Sequence, residues 1–244
     1  MLDARTATWP EVQAAIARGA PAVLAFGAQE QHGPHCPLST DTIMASGLAR
    51  RLAERLDALL LPAVPYGDCW NNARFPGTVS LSMETVKLLA KDIALNCQRM
   101  GIPALVIVNG HFGNRAPLEW MAREMRAEHY YPVLQIDYPG LAELAAQICD
   151  SQPTDYGFFH ADEVETSIVL ALEPAAVQMD KAQAEYPIFP PAFASQQLYL
   201  DSFNSSGVFG DPRPATAEKG ERLLAGLTER ALAVAEAFLA QHHG

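Results

Sequence analysis

The chain has 244 residues, 49% of them hydrophobic and 18% charged, a globular composition long enough to bury a full core. Its formal net charge of -11 argues against nucleic-acid backbones and anionic membranes as partners. Its four cysteines lack C-x-x-C spacing, no signal-type apolar segment follows Met1, and the apolar runs are too short to span a bilayer, so a cytoplasmic protein with free thiols is expected.

Trp9-Pro10-Glu11 opens a helix that ends near Arg18. Ala22-Val23-Leu24-Ala25-Phe26 reads as a buried strand. Directly after it comes Gly27-Ala28-Gln29-Glu30-Gln31-His32-Gly33-Pro34-His35-Cys36-Pro37-Leu38-Ser39-Thr40-Asp41. Core packing does not need one Glu, two His and one Asp at the end of a buried strand; a metal site does. Ser39, Thr40 or Asp41 caps the next helix, whose apolar face carries Met44, Leu48, Leu52 and Leu56. Leu59 to Val64 reads as a second strand. The loop from Pro65 to Thr78 has the length that compact domains reserve for function.

Ser82 caps a helix that Gly101 stops. Ala104 to Val108 is a third strand and runs into Asn109-Gly110-His111-Phe112-Gly113-Asn114. A helix follows from near Pro117, then a strand at Val133 to Ile136 and a helix from Leu141 to Ile148. His160-Ala161-Asp162-Glu163-Val164-Glu165-Thr166-Ser167 leads into a helix through Leu172. Residues 180–214 are irregular and aromatic, as a cover for a site, a subunit contact or an arm folded on its own domain would be. The last helix runs from about Thr216 to Gln241. Alternating strands and helices predict one α/β domain over residues 1–244, with a mostly parallel sheet covered on both faces.

Loops at the carboxyl ends of parallel strands gather on one side of the sheet. Glu30, His32 and His111 should therefore meet. Glu30 and His32, two apart, share a face if the backbone stays extended. Carboxylates and imidazoles are the donors expected for Zn, Mn or Fe, and a carboxylate bridge suits a two-metal site. Taken singly, His32 or His35 is a loop histidine, Asp41 an N-cap, and Asp162 with Glu165 a capping box. Taken jointly, they point to metal. Trp70, Phe75 and Phe112 are candidate pocket walls, and Asp68, Asn71 and Asn72 candidate substrate hydrogen-bonders. Cys36 and Cys69 fall in the same loops, where they either touch a metal or substrate or are buried thiols.

At these residues the sequence resembles the creatininase family of metal-dependent amidohydrolases. The matching stretches are Gly27 to His35 with Asp41, Phe75-Pro76-Gly77-Thr78, Asn109 to Asn114, and His160 to Ser167. The resemblance implies a three-layer α/β/α sandwich, a homo-oligomer (often a hexamer), and two divalent ions, with zinc expected first and manganese or iron as alternatives. By motif position Glu30 and His111 hold one ion, His32 the other, and Asp41 bridges. The family's type member has a Glu two residues after the glycine-histidine pair. Here that residue is Gly113, and Glu165 is the replacement. His160 matches the acid/base or substrate-orienting histidine. Asp68, Trp70, Thr78 and Phe112 are assigned to substrate binding.

The resulting expectation is a hydrolase that cuts a small molecule's cyclic amide or formamide C–N bond. The family also includes hydrolases of a cyclic dehydro-sugar or inositol-derived ketone, and peptide hydrolases of mycofactocin maturation. A lactone is a further alternative, and a non-catalytic metal-binding protein is the alternative of a different class.

Overall fold

The computed structural model describes residues 1–242. Five parallel strands form one sheet in the order β1-β3-β2-β4-β5: β1 (Leu2–Asp3), β2 (Ala22–Phe26), β3 (Leu59–Leu60), β4 (Leu105–Asn109) and β5 (Val133–Ile136). Seven α-helices accompany them among the described residues: α1 (Trp9–Ala17), α2 (Thr40–Arg55), α3 (Met83–Met100), α4 (Arg115–Glu128), α5 (Leu141–Ile148), α6 (Glu163–Leu172) and α7 (Ala217–Ala240).

The central strands are apolar on both faces because both faces are covered. Ala22, Leu24 and Phe26 of β2, with Leu105 and Ile107 of β4, pack beneath α1, α3 and α4. The alternate residues Val23, Ala25, Val106 and Val108 pack beneath α2, α5, α6 and α7. The strand period of two thus sorts one sequence into two cores. The fold is the three-layer α/β sandwich expected from sequence.

Two strands depart from expectation. The run from Leu59 to Val64 pairs as a strand only at Leu59–Leu60, because Pro62 has no N–H to give a ladder. Val64 rejoins as an isolated bridge to Phe26. Strand β1, two residues long, is too short to leave a periodic signal. The helix boundaries follow their caps: Ser82 Oγ accepts from Thr85 N and Gly101 closes α3 at φ 83°, while Thr216 caps α7. No helix among the described residues is long and apolar enough to cross a membrane.

Residues 180–214 fold back on this chain. Phe189, Leu200 and Phe209 form a small separate core, with Phe158, Phe193 and Phe203 against it. A bridge between His160 and Phe209 ties that core to the loop before α6.

Candidate metal centre and cavity

Strands β2 and β4 are neighbours, with Phe26 opposite Asn109. The residues that leave their carboxyl ends therefore emerge side by side. Gly110 lets a third element join them. A Cβ there would stand 2.3 Å from the Asp41 carbonyl oxygen, so the first turn of α2 reaches the carboxyl end of β4 only because residue 110 has no side chain. Asp41 is accordingly no N-cap: Ser39 holds the cap position, and the Asp41 carboxylate turns toward the sheet.

Each histidine has one ring nitrogen fixed by a backbone carbonyl. His32 Nδ1 donates to the Glu30 carbonyl at 3.1 Å. His111 Nε2 donates to the Asp68 carbonyl at 2.8 Å. Carbonyls only accept, so in the neutral rings the other nitrogens carry lone pairs. His32 Nε2 faces Asp41 Oδ1 at 3.1 Å and Glu165 Oε2 at 3.5 Å. His111 Nδ1 faces Glu30 Oε2 at 3.0 Å and Asp41 Oδ2 at 3.1 Å. Asp41 thus gives one oxygen to each ring.

All five side chains are at most 9% exposed. His32 Nε2 and Asp41 Oδ2 have no hydrogen-bond partner. Lone pairs aimed at buried carboxylate oxygens repel unless positive charge lies between them. Protons can supply that charge, and so can metal cations. Two ligands of a tetrahedral ion at about 2.1 Å stand about 3.4 Å apart, close to the observed spacings. The donor types are those of Zn, Mn and Fe sites. The residues therefore fit a pair of divalent ions, with His32, Asp41 and Glu165 forming one group of donors and Glu30, Asp41 and His111 the other.

The electrostatics agree. Burial disfavours the charged form of His32, but Asp41 and Glu165 outweigh it and raise its pKa to about 10. Burial likewise opposes the charge on His111, and Glu30 and Asp41 outweigh it, holding its pKa well above the usual value. Burial pushes Glu165 up to about 8, against the pull of His32. At neutral pH these groups hold protons that a cation would displace. Loading with zinc at pH 7 is therefore expected to release about two to three protons per chain. Calorimetry in buffers of different ionisation enthalpy measures this, and release of none would contradict the ligand set.

Glu165 also serves its helix. Asp162 accepts from Val164 N and Glu165 N, and Glu165 Oε2 accepts from Ala161 N at 2.7 Å. The capping-box geometry and the metal-facing position coexist in one residue. Ala161 adopts a left-handed φ of 52° here, a strain typical of functional sites.

A cavity opens on this cluster. It is lined by the polar Glu30, Asp41, His111, His160 and Glu165 together with Phe112, Tyr138, Leu141, Phe158 and Phe159. His160 Nε2 lies 2.8 Å from Gln31 Nε2. Gln31 Oε1 accepts from Gly33 N, which fixes the amide so that Gln31 donates to His160. The proton of neutral His160 therefore sits on Nδ1. Burial and the charge on His32 press its pKa to about 4.

The remaining residues singled out by their position in the motifs have varied places. Phe112 lines the cavity. Trp70 does not; it stacks on Tyr199 at 4.2 Å, with the Arg74 guanidinium 3.8 Å from the centre of the same Tyr199 ring. The Thr78 hydroxyl accepts from Gln31 N. The Asp68 carboxylate accepts from Trp70 N and Ser80 Oγ, and its main-chain carbonyl is what orients His111. His35 bonds Thr166 Oγ1 at 2.9 Å and supports the loop from behind. Asn71 and Asn72, candidate substrate contacts by sequence, line the cavity, and Asn72 also donates to Glu30 Oε1. Tyr138 is a cavity residue that the motifs do not mark, and its buried hydroxyl has no partner. A signal for it exists in the sequence, since Tyr138 follows the carboxyl end of β5.

A family model described as creatinine amidohydrolase matches residues 5–235. The chain belongs to the creatininase family. A mycofactocin precursor peptide peptidase from Mycobacterium tuberculosis is 32% identical over 221 residues, spanning 85% of this chain and 81% of the relative. Creatinine amidohydrolase from Pseudomonas putida is 29% identical over 232 residues, 89% of each chain. A manganese creatininase superposes with a TM-score of 0.83 at 26% identity, covering 100% of this chain and 99% of the other. A zinc–zinc form of a creatininase variant gives the same score and identity over 99% and 98%. These creatininase-family relatives are hydrolases.

Proposed function

We propose that this creatininase-family chain is a hydrolase that works with two divalent cations and cuts a C–N bond of a small, largely neutral amide. One observation carries the reading: Asp41, buried and central, turns one oxygen to His32 Nε2 and the other to His111 Nδ1 at 3.1 Å each. When bound, the cations would supply activation of water and polarisation of the scissile carbonyl. Glu30, Asp41 and His111 would hold one ion, and His32, Asp41 and Glu165 the other. The carbonyls of Glu30 and Asp68 keep both rings in the ligating tautomer.

The remaining residues act on the substrate. His160, neutral and protonated at Nδ1, is the group suited to orient a substrate oxygen or hand a proton to the departing nitrogen. Phe112, Phe158 and Phe159 supply an apolar wall that excludes water. Among the described residues no lysine or arginine lines the cavity, which favours neutral substrates over anionic ones. The zinc–zinc and manganese neighbours support divalent ions, and the nitrogen-and-oxygen donor set favours zinc first. The same apparatus would also serve a peptide bond, as in the mycobacterial relative. A homo-oligomer and a cytoplasmic location go with this reading.

The test combines metal analysis with a hydrolysis screen of cyclic amides, formamides, short peptides, and dehydro-sugar ketones and lactones. Turnover that needs metal, on an amide, supports the reading; about two bound ions with no turnover favours a binding protein. On the substrate so found, His160→Asn is expected to retain both ions and lose about 10²–10⁴-fold in kcat. Unchanged kcat removes His160 from the chemistry.

A further inference from the structure

Cys69 is completely buried, yet it belongs to neither large core. Cys97, by contrast, is on the buried face of α3 and packs among apolar core residues. The donor atoms of Cys69, Glu30 and His111 lie within 4.8 Å of one another. We infer that Cys69 is a further ligand of the cation held by Glu30 and His111, so that this ion carries one sulfur donor and its neighbour none. The inference rests on the two-cation reading above.

The loop delivers the sulfur to a fixed place. Cys69 N donates to Ser80 Oγ at 2.9 Å, and the Cys69 carbonyl accepts from Asn72 N at 3.0 Å. Asp68, beside it, takes the His111 Nε2–H on its carbonyl at 2.8 Å and donates its N–H to Asn114 Oδ1 at 3.0 Å. The thiol itself has little reason to be there as a packing group. Its Sγ makes a weak 3.8 Å contact with the Gly67 carbonyl and faces the His111 ring.

A separate observation points to a cation at this place. Asp41 Oδ2, buried and without a hydrogen-bond partner, lies 3.1 Å from Nδ1 of the same His111 ring. Gly113 shows that the loop has been admitted at close range. A Cβ at residue 113 would lie 1.9 Å from the Asp68 carbonyl oxygen and 2.7 Å from His111 Nε2. The space that a side chain at 113 would use is occupied by the segment that brings Cys69.

The chemistry is ligand exchange. The Sγ–H proton leaves to solvent as the sulfur–cation bond forms, and nothing is oxidised. A thiolate shifts the site's preference toward zinc, cobalt and ferrous iron and away from manganese and magnesium. Cys36, the other buried cysteine of these loops, lies instead beside Thr166, 3.6 Å from its hydroxyl.

Cobalt(II) reports sulfur ligation directly. The intact protein loaded with cobalt is expected to show the thiolate-to-cobalt charge-transfer band in the near ultraviolet. Cys36→Ser should keep the band. Cys69→Ser should lose it while still binding two cobalt ions and releasing one proton fewer. A band that survives Cys69→Ser, or disappears in Cys36→Ser, overturns the inference. So does a wild-type protein that binds two cobalt ions without the band, which leaves the two-cation reading standing. Failure to bind cobalt stoichiometrically overturns both. If Cys69→Ser does not fold, X-ray absorption of the zinc-loaded wild type decides. A sulfur shell at about 2.3 Å supports ligation, and a shell of nitrogen and oxygen alone overturns it.

Discussion

Replacing Asp41 with asparagine is expected to empty both cation positions together. Asp41 is the side chain whose two oxygens face both histidines, at 3.1 Å from His32 Nε2 and 3.1 Å from His111 Nδ1. Its carboxyl is held well below the ordinary range: burial works against ionisation, and the His32 and His111 charges outweigh burial. An amide keeps the shape but removes the charge that both ions need. Metal content should fall from about two ions per chain to well below one, and turnover by about 10³-fold or more, the equivalent of about 4 kcal/mol of lost electrostatic stabilisation. Glu165→Gln is the control. Glu165 faces His32 alone of the two histidines, so that variant should lose one ion and keep the other. Loss of a single ion from Asp41→Asn would show that the carboxylate does not bridge.

Gly113→Glu is expected to cost stability and metal and not to add a ligand. The resemblance read from the sequence invites the opposite forecast, because it implies a metal-binding glutamate at this place. The geometry decides against it. A side chain at 113 would start 1.9 Å from the Asp68 carbonyl, and that carbonyl is the acceptor that fixes the His111 tautomer. The loop must shift, and His111 loses its orientation. Overpacking of this kind costs about 3 kcal/mol, which lowers Tm by about 6–12 °C in a chain of this size. Thermal melts and metal analysis of the variant check both effects. A variant of unchanged Tm that binds metal more tightly would contradict this view of the loop.

How much of the site is legible in the sequence depends on the kind of interaction. Strands β2 and β4 are legible because continuous β-branched and aliphatic runs ended by glycine leave few alternatives. Once those strands are parallel neighbours, the meeting of Glu30, His32 and His111 follows from topology. Asp41 is legible as a polar residue at a helix start. Its true position needs the contact between α2 and Gly110, which no local pattern reports. The same holds for the carbonyls of Glu30 and Asp68: main-chain atoms carry no sequence signature, yet they set which histidine nitrogens face the carboxylates. Gly113 reads in sequence only as a missing ligand, whereas the structure shows it as room for the Asp68–Cys69 segment. Trp70 shares the site loop, and its sequence position therefore points to the pocket. It turns away because Tyr199, 129 residues on, offers it a stacking face.

The proposed arrangement sets Asp41 between two cations, each with one histidine. Anomalous diffraction from crystals of the zinc-loaded protein tests it most directly. Two peaks are predicted about 3.5–4 Å apart, one against His32 Nε2 and one against His111 Nδ1, with an Asp41 oxygen reaching each. A single peak, or zinc bound away from Asp41, would contradict it.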